Sequence, residues 1–251
     1  MTQAFDLSGK VAVVSGGTRG IGQGIAIGLA EAGADIVLLQ RTDDTSTEEK
    51  IKALGVRCKI IQCDLMNLHE VKQAIPKAIE AMGSVDILVN NAGIQRRSPA
   101  VDFSEQDWDD VLNVNLKAVW ILCQQAGRHM VEKNSGKIIN IASLASFQGG
   151  LFVPAYASAK GAVGQLTKAL ANEWSSQGVN VNAIVPGYIA TEMNTALIND
   201  PVRSRQITER IPAGRWGNPE DFKGPAVFLA SDASNYVHGH MLAVDGGWLG
   251  R

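Results

Sequence analysis

Tyr156 and Lys160 stand four positions apart in "YASAK" (156–160), with only Ala157, Ser158 and Ala159 between them. On a helix, residues i and i+4 lie one above the other on the same face, so the phenol and the ammonium point the same way. A phenol titrates near pH 10 unless perturbed, and a cation one turn away favours its ionised form, which would suit proton transfer closer to neutrality. Thirteen residues upstream Ser143 ends an apolar run, and Asn115 lies further back in "LNVNLK". Taken singly, Ser143 serves equally as a turn cap, Tyr156 as a half-buried aromatic, Lys160 as a solvated charge and Asn115 as a tolerated polar residue.

A second constellation lies near the amino terminus. "SGGTRGIG" (15–22) follows an apolar run and leads into a segment with helical spacing. Glycines at 16, 20 and 22 permit a tight turn and a close approach of a pyrophosphate to the N–H groups at a helix start. The spacing G-x3-G-x-G differs from the commoner dinucleotide fingerprint. Asp64, after "IIQC", could accept a hydrogen bond from an adenine amino group while Leu65 covers the ring, or simply cap a helix. "NNAG" (90–93) closes another apolar run; Gly93 would keep a site open there, whereas Asn90 and Asn91 also suit an ordinary turn.

The elements that must position these residues alternate. Seven runs rich in β-branched residues read as strands: "KVAVVS" (10–15), "DIVLL" (35–39), "CKIIQC" (58–63), "DILVN" (86–90), "KIINIAS" (137–143), "VNVNAIV" (179–185) and "HMLAVD" (240–245). Most are continuously apolar, as strands covered on both faces are. Between them, helical spacing runs over Ile21–Ala32, Val71–Ala81, Asp107–Val131 and Tyr156–Trp174. The pattern predicts an α/β fold: a single-domain, doubly wound parallel seven-stranded sheet with helices on both faces. A long excursion at 187–218, before a late helix near "PEDF", has the character of a substrate lid.

Composition narrows the partners. The 251 residues are 45% hydrophobic and 19% charged, with formal charge -2, so no basic field is offered to a nucleic-acid backbone and a small-molecule partner is expected. Cys58, Cys63 and Cys123 are too few and too irregular for a disulfide framework or a zinc site, which suits a reducing compartment. No secretory start and no run of eighteen apolar residues is present, so the expectation is a cytoplasmic protein without a membrane span. "HGHM" (238–241) lacks companion ligands, and on a strand its two histidines would face opposite ways; no metal site is expected.

In this order the motifs resemble the classical short-chain dehydrogenase/reductase family across essentially the whole chain: the glycine loop, "NNAG", Asn115, Ser143, Tyr-x-x-x-Lys and "PGYIAT" (186–191). Ser15 replaces the usual threonine before the loop and keeps its hydroxyl. The resemblance implies a Rossmann-like fold and a nicotinamide cofactor, with Tyr156 the acid/base, Ser143 holding the substrate oxygen, Lys160 binding the nicotinamide ribose and tuning Tyr156, and Asn115 securing a relay water. It implies cofactor contacts from Ser15, Gly16, Thr18, Arg19, Gly20, Ile21, Gly22, Asp64, Leu65, Asn91, Ala92, Gly93, Tyr156, Lys160, Pro186, Gly187, Ile189 and Thr191. The family's tetramers imply a homotetramer, with the terminal "AVDGGWLGR" against a neighbouring subunit.

The end of the second strand bears on the choice of nucleotide. Gln40 stands where NAD-preferring relatives usually carry Asp, so no carboxylate repels a 2'-phosphate. Arg41 and Arg19 could pair with one, although Asp43 and Asp44 oppose it. The reading favours NADP over NAD. "AGIQRRSP", "SFQGG", "RIPAGRWG" and "AVDGGW" resemble the subgroup acting on 2-deoxy-gluconate and 2-dehydro-3-deoxy-gluconate, so a sugar acid is the implied substrate. Its carboxylate would suit a guanidinium fork, for which Arg97 is preferred over Arg96, Arg203, Arg205 and Arg215, and Gln148 would meet a hydroxyl. A 3-oxoacyl-thioester reductase and a non-catalytic NAD(P)-binding regulator are the alternatives.

Overall fold

The aliphatic and β-branched runs form strands because both their faces are covered. In the computed structural model, which describes residues 3–251, they build one parallel sheet. Its strands are β1 Val11–Ser15, β2 Asp35–Gln40, β3 Cys58–Gln62, β4 Ile87–Asn90, β5 Gly136–Ile141, β6 Val179–Pro186 and β7 Met241–Val244. They lie in the order β3-β2-β1-β4-β5-β6-β7. All seven predicted strands are present. Every residue of β1 and β6 is buried, whereas the edge strands β3 and β7 are only partly covered.

Helices occupy both faces: α1 Gly20–Glu31, α2 Ser46–Lys52, α3 Leu68–Met82, α4 Glu105–Leu112, α5 Ala118–Glu132, α6 Pro154–Trp174, α7 Thr195–Ile198, α8 Pro201–Arg210 and α9 Lys223–Ala230. Successive strand residues face opposite sides, and the two cores show it. Val13, Leu88, Ile138 and Val181 pack with Ile75 of α3, Leu122 of α5 and Val163 of α6. Val14, Leu38, Val89 and Ile139 pack on the other side with Ile25 and Leu29 of α1 and Leu229 of α9.

Three local departures from the sequence expectation matter. The stretch Asp107–Val131 is not one regular helix, because α4 and α5 are joined by a wide π turn over Asn113–Lys117 in which the Ala118 N–H donates to the Asn113 carbonyl. Helix α2 forms from the polar segment "STEEKIK", whose buried residues are Thr47 and Ile51. The excursion at 187–218 contains α7 and α8 and is packed onto the body: Ile207, Ile211 and Trp248 join Ala142, Leu144 and Val185 in a third core. Trp248 is therefore buried within its own chain, stacked near Tyr188 and under Arg210, rather than presented to a neighbour.

The sheet order reverses between β1 and β4. The carboxyl ends of these strands open a crevice, the usual ligand position of an open α/β sheet. The glycine loop, "NNAG" and Ser143 all lie on that edge, after β1, β4 and β5.

Candidate active site

The catalytic helix starts with Pro154 at its first turn, where the missing N–H costs nothing, and runs uninterrupted to Trp174. Tyr156 and Lys160 project from the same side of it, with the ammonium 5.7 Å from the centre of the phenol ring. Ser143 caps a short turn by accepting from the Ala145 N–H at 3.2 Å, and its hydroxyl lies close enough to the Tyr156 phenol to favour the ionised form. The Ser146 hydroxyl donates to the Lys160 carbonyl at 2.6 Å and ties that turn to α6. Phenol, serine and amine thus converge at the carboxyl end of β5.

The electrostatics differ from the simple reading of Lys160 tuning its neighbour. Burial raises the Tyr156 pKa above that of a free phenol, and the groups that pull it down are the Ser143 hydroxyl and the Arg97 guanidinium. Lys160 is only 4% exposed and donates to the Ile141 carbonyl at 2.5 Å. Burial lowers its pKa to about 8. The i, i+4 spacing puts the two groups on one face, but a low-dielectric setting disfavours both charged forms at once.

Asn115 is buried in the π turn with both ends of its amide engaged. Its Oδ1 accepts from the Ile94 N–H at 2.8 Å and its Nδ2 donates to the Ile94 carbonyl at 2.8 Å. Its side chain therefore holds the segment just after "NNAG" in place. Gly93 leaves room for this grip, since a Cβ there would come within 3.1 Å of Asn115 Oδ1.

The same loop is fastened to β1. The Ser15 hydroxyl accepts from the N–H groups of Asn91 and Ala92 at 3.1 Å, and Asn91 Nδ2 donates to the carbonyls of Ser15 and Gly16 at 3.0 Å. Ser15 is buried, and its side chain positions the loop. Gly22 is needed for the same packing: a Cβ there would lie 2.2 Å from the Gly16 carbonyl oxygen and 2.3 Å from Asn91 Nδ2. Gly16 adopts φ +66°, a conformation that favours glycine.

These residues suit a nicotinamide dinucleotide. Helix α1 begins at Gly20, and the side chain of Arg19 makes no capping bond to its first N–H groups, which are left to attract an anion. At the end of β2, Gln40 is 4% exposed; its Nε2 donates to the carbonyls of Thr42 and Asp44, and its Oε1 is a buried acceptor with no partner among the described residues. A ribose hydroxyl is the kind of donor such an atom lacks. Asp64 Oδ1 accepts from the Met66 N–H, shaping the turn after β3 that carries the buried Leu65, while Asn67 rather than Asp64 caps α3. Thr18, Ile21, Gly187 and Thr191 are half-exposed around the crevice, but Pro186 and Ile189 are buried and shape its wall.

The arginines separate clearly. Arg96 is held by Asp107 at 3.1 Å and Asp110 at 3.8 Å, Arg205 by Glu209 at 3.7 Å, and Arg215 by a two-pronged pair with Asp221 at 2.8 Å. Arg203 donates to Gln206 at 3.0 Å. Arg19, expected near a phosphate, instead pairs with Glu192 at 2.9 Å. Arg97 is exposed, makes no ion pair among the described residues, and acts electrostatically on Tyr156. Gln148 is half-buried in the loop after Ser143. His238 and His240 precede β7 rather than lying on it: His238 Nδ1 meets the Ser175 hydroxyl at 2.8 Å, and the His240 N–H donates to Asn182.

A buried polar chain supports the site from beneath. Asn90 Nδ2 donates to Asn140 Oδ1 at 2.9 Å, and Asn140 Nδ2 donates to the Thr167 hydroxyl at 3.0 Å. It ties β4, β5 and the catalytic helix together below the serine. Sequence spacing gives no sign of it, because its members come from three separate elements.

A seven-stranded parallel sheet with this Ser-Tyr-Lys cluster at its carboxyl edge defines a dehydrogenase/reductase site, and the chain belongs to the short-chain dehydrogenase/reductase family. Residues 16–249 match a family model described as "Enoyl-(Acyl carrier protein) reductase". Among curated relatives, the 2-dehydro-3-deoxy-D-gluconate 5-dehydrogenase of Escherichia coli (strain K12) is 52% identical over 99% of this chain and 98% of its own. A candidate 2-deoxy-D-gluconate 3-dehydrogenase from Agrobacterium tumefaciens, crystallised with NADP, is 49% identical with a TM-score of 0.94 over all of both chains. A candidate NAD(P)-dependent gluconate 5-dehydrogenase from Beutenbergia cavernae, with NADP at low occupancy, is also 49% identical, with a TM-score of 0.96 over 99% of this chain and 100% of its own.

Proposed function

We propose that this protein is an NAD(P)-dependent oxidoreductase that interconverts a secondary alcohol and a ketone on a sugar acid of the 2-deoxy- or 2-dehydro-3-deoxy-gluconate type. The observation that carries the reading is the convergence of Ser143, Tyr156 and Lys160 beside a crevice that also presents the unpaired Arg97. The bound nicotinamide supplies the hydride acceptor or donor; the chain supplies orientation and a proton path. Ser143 orients the substrate oxygen toward Tyr156, and the phenol gives or takes the proton at that oxygen. Lys160, held in place by its bond to the Ile141 carbonyl, orients the ribose through its amine. Arg97 receives the substrate carboxylate, and Gln148 a hydroxyl.

The relatives' substrates support the sugar-acid assignment, and their bound NADP supports the nucleotide class. We further read the molecule as a one-domain cytoplasmic homotetramer. Three unpaired, buried cysteines suit a reducing compartment, and among the described residues no helix is long and apolar enough to cross a membrane. Part-exposed Trp108 and Trp120 on α4 and α5 suit a subunit contact.

The test pairs a substrate panel with one substitution. Purified protein should turn over 2-dehydro-3-deoxy-gluconate or a close keto acid with NADH or NADPH. Tyr156→Phe should lower turnover by about 100-fold or more, the usual worth of a positioned acid/base, while nucleotide affinity is kept. Activity that follows acyl-chain length instead would establish the 3-oxoacyl-thioester reductase reading, and nucleotide binding with no turnover on any of these would establish a regulator.

A further inference from the structure

One ion pair fastens the excursion after β6 to the glycine loop after β1: Arg19 and Glu192 meet at 2.9 Å. Thr191, the residue before Glu192, lies over Gly20, its Cγ2 being 3.4 Å from where a Cβ on that glycine would stand. Arg19 is the outermost residue of its loop, with extended backbone (φ -157°, ψ 171°), and its side chain takes no part in capping α1.

The sheet order gives this pair a direction. From β1, strand β2 lies on one side and β4, β5 and β6 on the other. Glu192 draws the guanidinium toward the β6 side. The end of β2, where Gln40 and Arg41 stand, is where a ribose 2'-substituent is recognised, and it lies the opposite way. One side chain cannot serve both. We infer that Glu192 is a specificity-determining residue that competes with the 2'-phosphate of NADP(H) for Arg19, and so sets the balance between the two nucleotides. This rests on the nicotinamide-nucleotide reading given above.

The chemistry of the competition is that of two anions and one fork. A phosphate monoester carries more charge than a carboxylate and offers more acceptor oxygens, so it can displace Glu192, but the broken ion pair is subtracted from its binding. A nucleotide without that phosphate leaves the Arg19–Glu192 pair intact and the excursion held against the glycine loop. Arg41 makes no ion pair among the described residues, and Asp43 and Asp44 beside it are already bonded to Gln62 and the Ser46 N–H. Bonds from neutral donors do not cancel a carboxylate's charge, so Asp43 and Asp44 offset Arg41 to the same extent whatever Glu192 does, and only the contribution of Arg19 is contested. Both partners are exposed, at 74% and 73% of the side chain, so the effect is that of a surface pair, about two- to fivefold in affinity.

The experiment is a fluorescence titration of NADPH and NADH against the full-length protein with no sugar substrate present, for wild type, Glu192→Gln, Glu192→Asp, Arg19→Gln and the Arg19→Gln/Glu192→Gln double variant. Glu192→Gln should tighten NADPH about two- to fivefold while NADH is unchanged or weaker, and Glu192→Asp should keep the wild-type ratio. Arg19→Gln should weaken NADPH, and adding Glu192→Gln to it should change nothing further. Equal changes for both nucleotides would overturn the inference, as would tightening of NADPH by Glu192→Gln that persists without Arg19. Because turnover is not read, a wrong substrate assignment leaves this result standing. Failure of both nucleotides to bind the wild type would instead overturn the nucleotide reading itself.

Discussion

The amide of Asn115 grips the backbone of Ile94 at both ends, accepting from its N–H and donating to its carbonyl, each at 2.8 Å. Neither Ile94 group belongs to a strand, so this side chain is what satisfies them. Asn115→Leu should leave two part-buried backbone groups unpaired and destabilise the protein by about 2–4 kcal/mol. Asn115→Asp should keep the bond from the Ile94 N–H, lose the one to its carbonyl, and fall between. Urea denaturation gives the ranking; equal stability of all three would show that Ile94 finds other partners.

Lys160 predicts a conflict between stability and activity. Its folded pKa, about 8, lies well below the ordinary lysine value of 10.5. Between those values the unfolded chain binds more protons than the folded one, so stability from this group rises as pH increases from about 8 to 10.5, and its full penalty is present below that window. Lys160→Met should therefore stabilise the fold at pH 7 by on the order of 3 kcal/mol while abolishing turnover, at about 1.4 kcal/mol per pH unit. The gain should shrink toward pH 10.5. Denaturation midpoints across that range read it directly, and a variant less stable than wild type at pH 7 would contradict it.

Arg97→Gln should act twice. Loss of a charge-assisted contact to the substrate carboxylate should lower kcat/KM about 10- to 100-fold. Removal of a cation that pulls the Tyr156 pKa down should also raise it further, so the rise of kcat with pH in alcohol oxidation, where the phenolate is the base, should move to higher pH. A pH profile unchanged in shape would remove Arg97 from the vicinity of the phenol.

Gly22→Ala should abolish nucleotide binding by disordering the loop rather than by blocking the ligand. The added methyl would collide with the Gly16 carbonyl and the Asn91 amide, both of which hold the loop in place. Both affinity and thermal stability should fall together. Loss of affinity with unchanged stability would mean that the methyl obstructs the ligand instead.

The strands were legible because burial on both faces leaves a continuous apolar signature, and the site motifs because each follows a strand end. What escaped was decided by distant partners. Asn90, Asn140 and Thr167 look like a turn residue, a strand polar residue and a helix polar residue, and only the fold makes them one chain of hydrogen bonds. The arginines were indistinguishable until their carboxylates were placed: Arg96, Arg205 and Arg215 are spoken for, and Arg19 turns to Glu192, which carries no local signal. Helix α2 escaped because its seven residues bury only Thr47 and Ile51, too few to show a period. Spacing likewise puts Lys160 and Tyr156 on one face but does not report how dry that face is, and burial raises the pKa of the phenol and lowers that of the amine.

The wide turn at Asn113–Lys117 holds one residue more than a regular helix would use, and Asn115 sits in the bulge. Deleting a single residue there would restore ordinary winding, and because the bulge absorbs the extra residue, the helix beyond it would keep its facing and Leu122 and Cys123 their places in the core. What would be lost is the bulged position from which the asparagine reaches its loop. The extra residue in this segment thus serves the loop after β4 rather than the core.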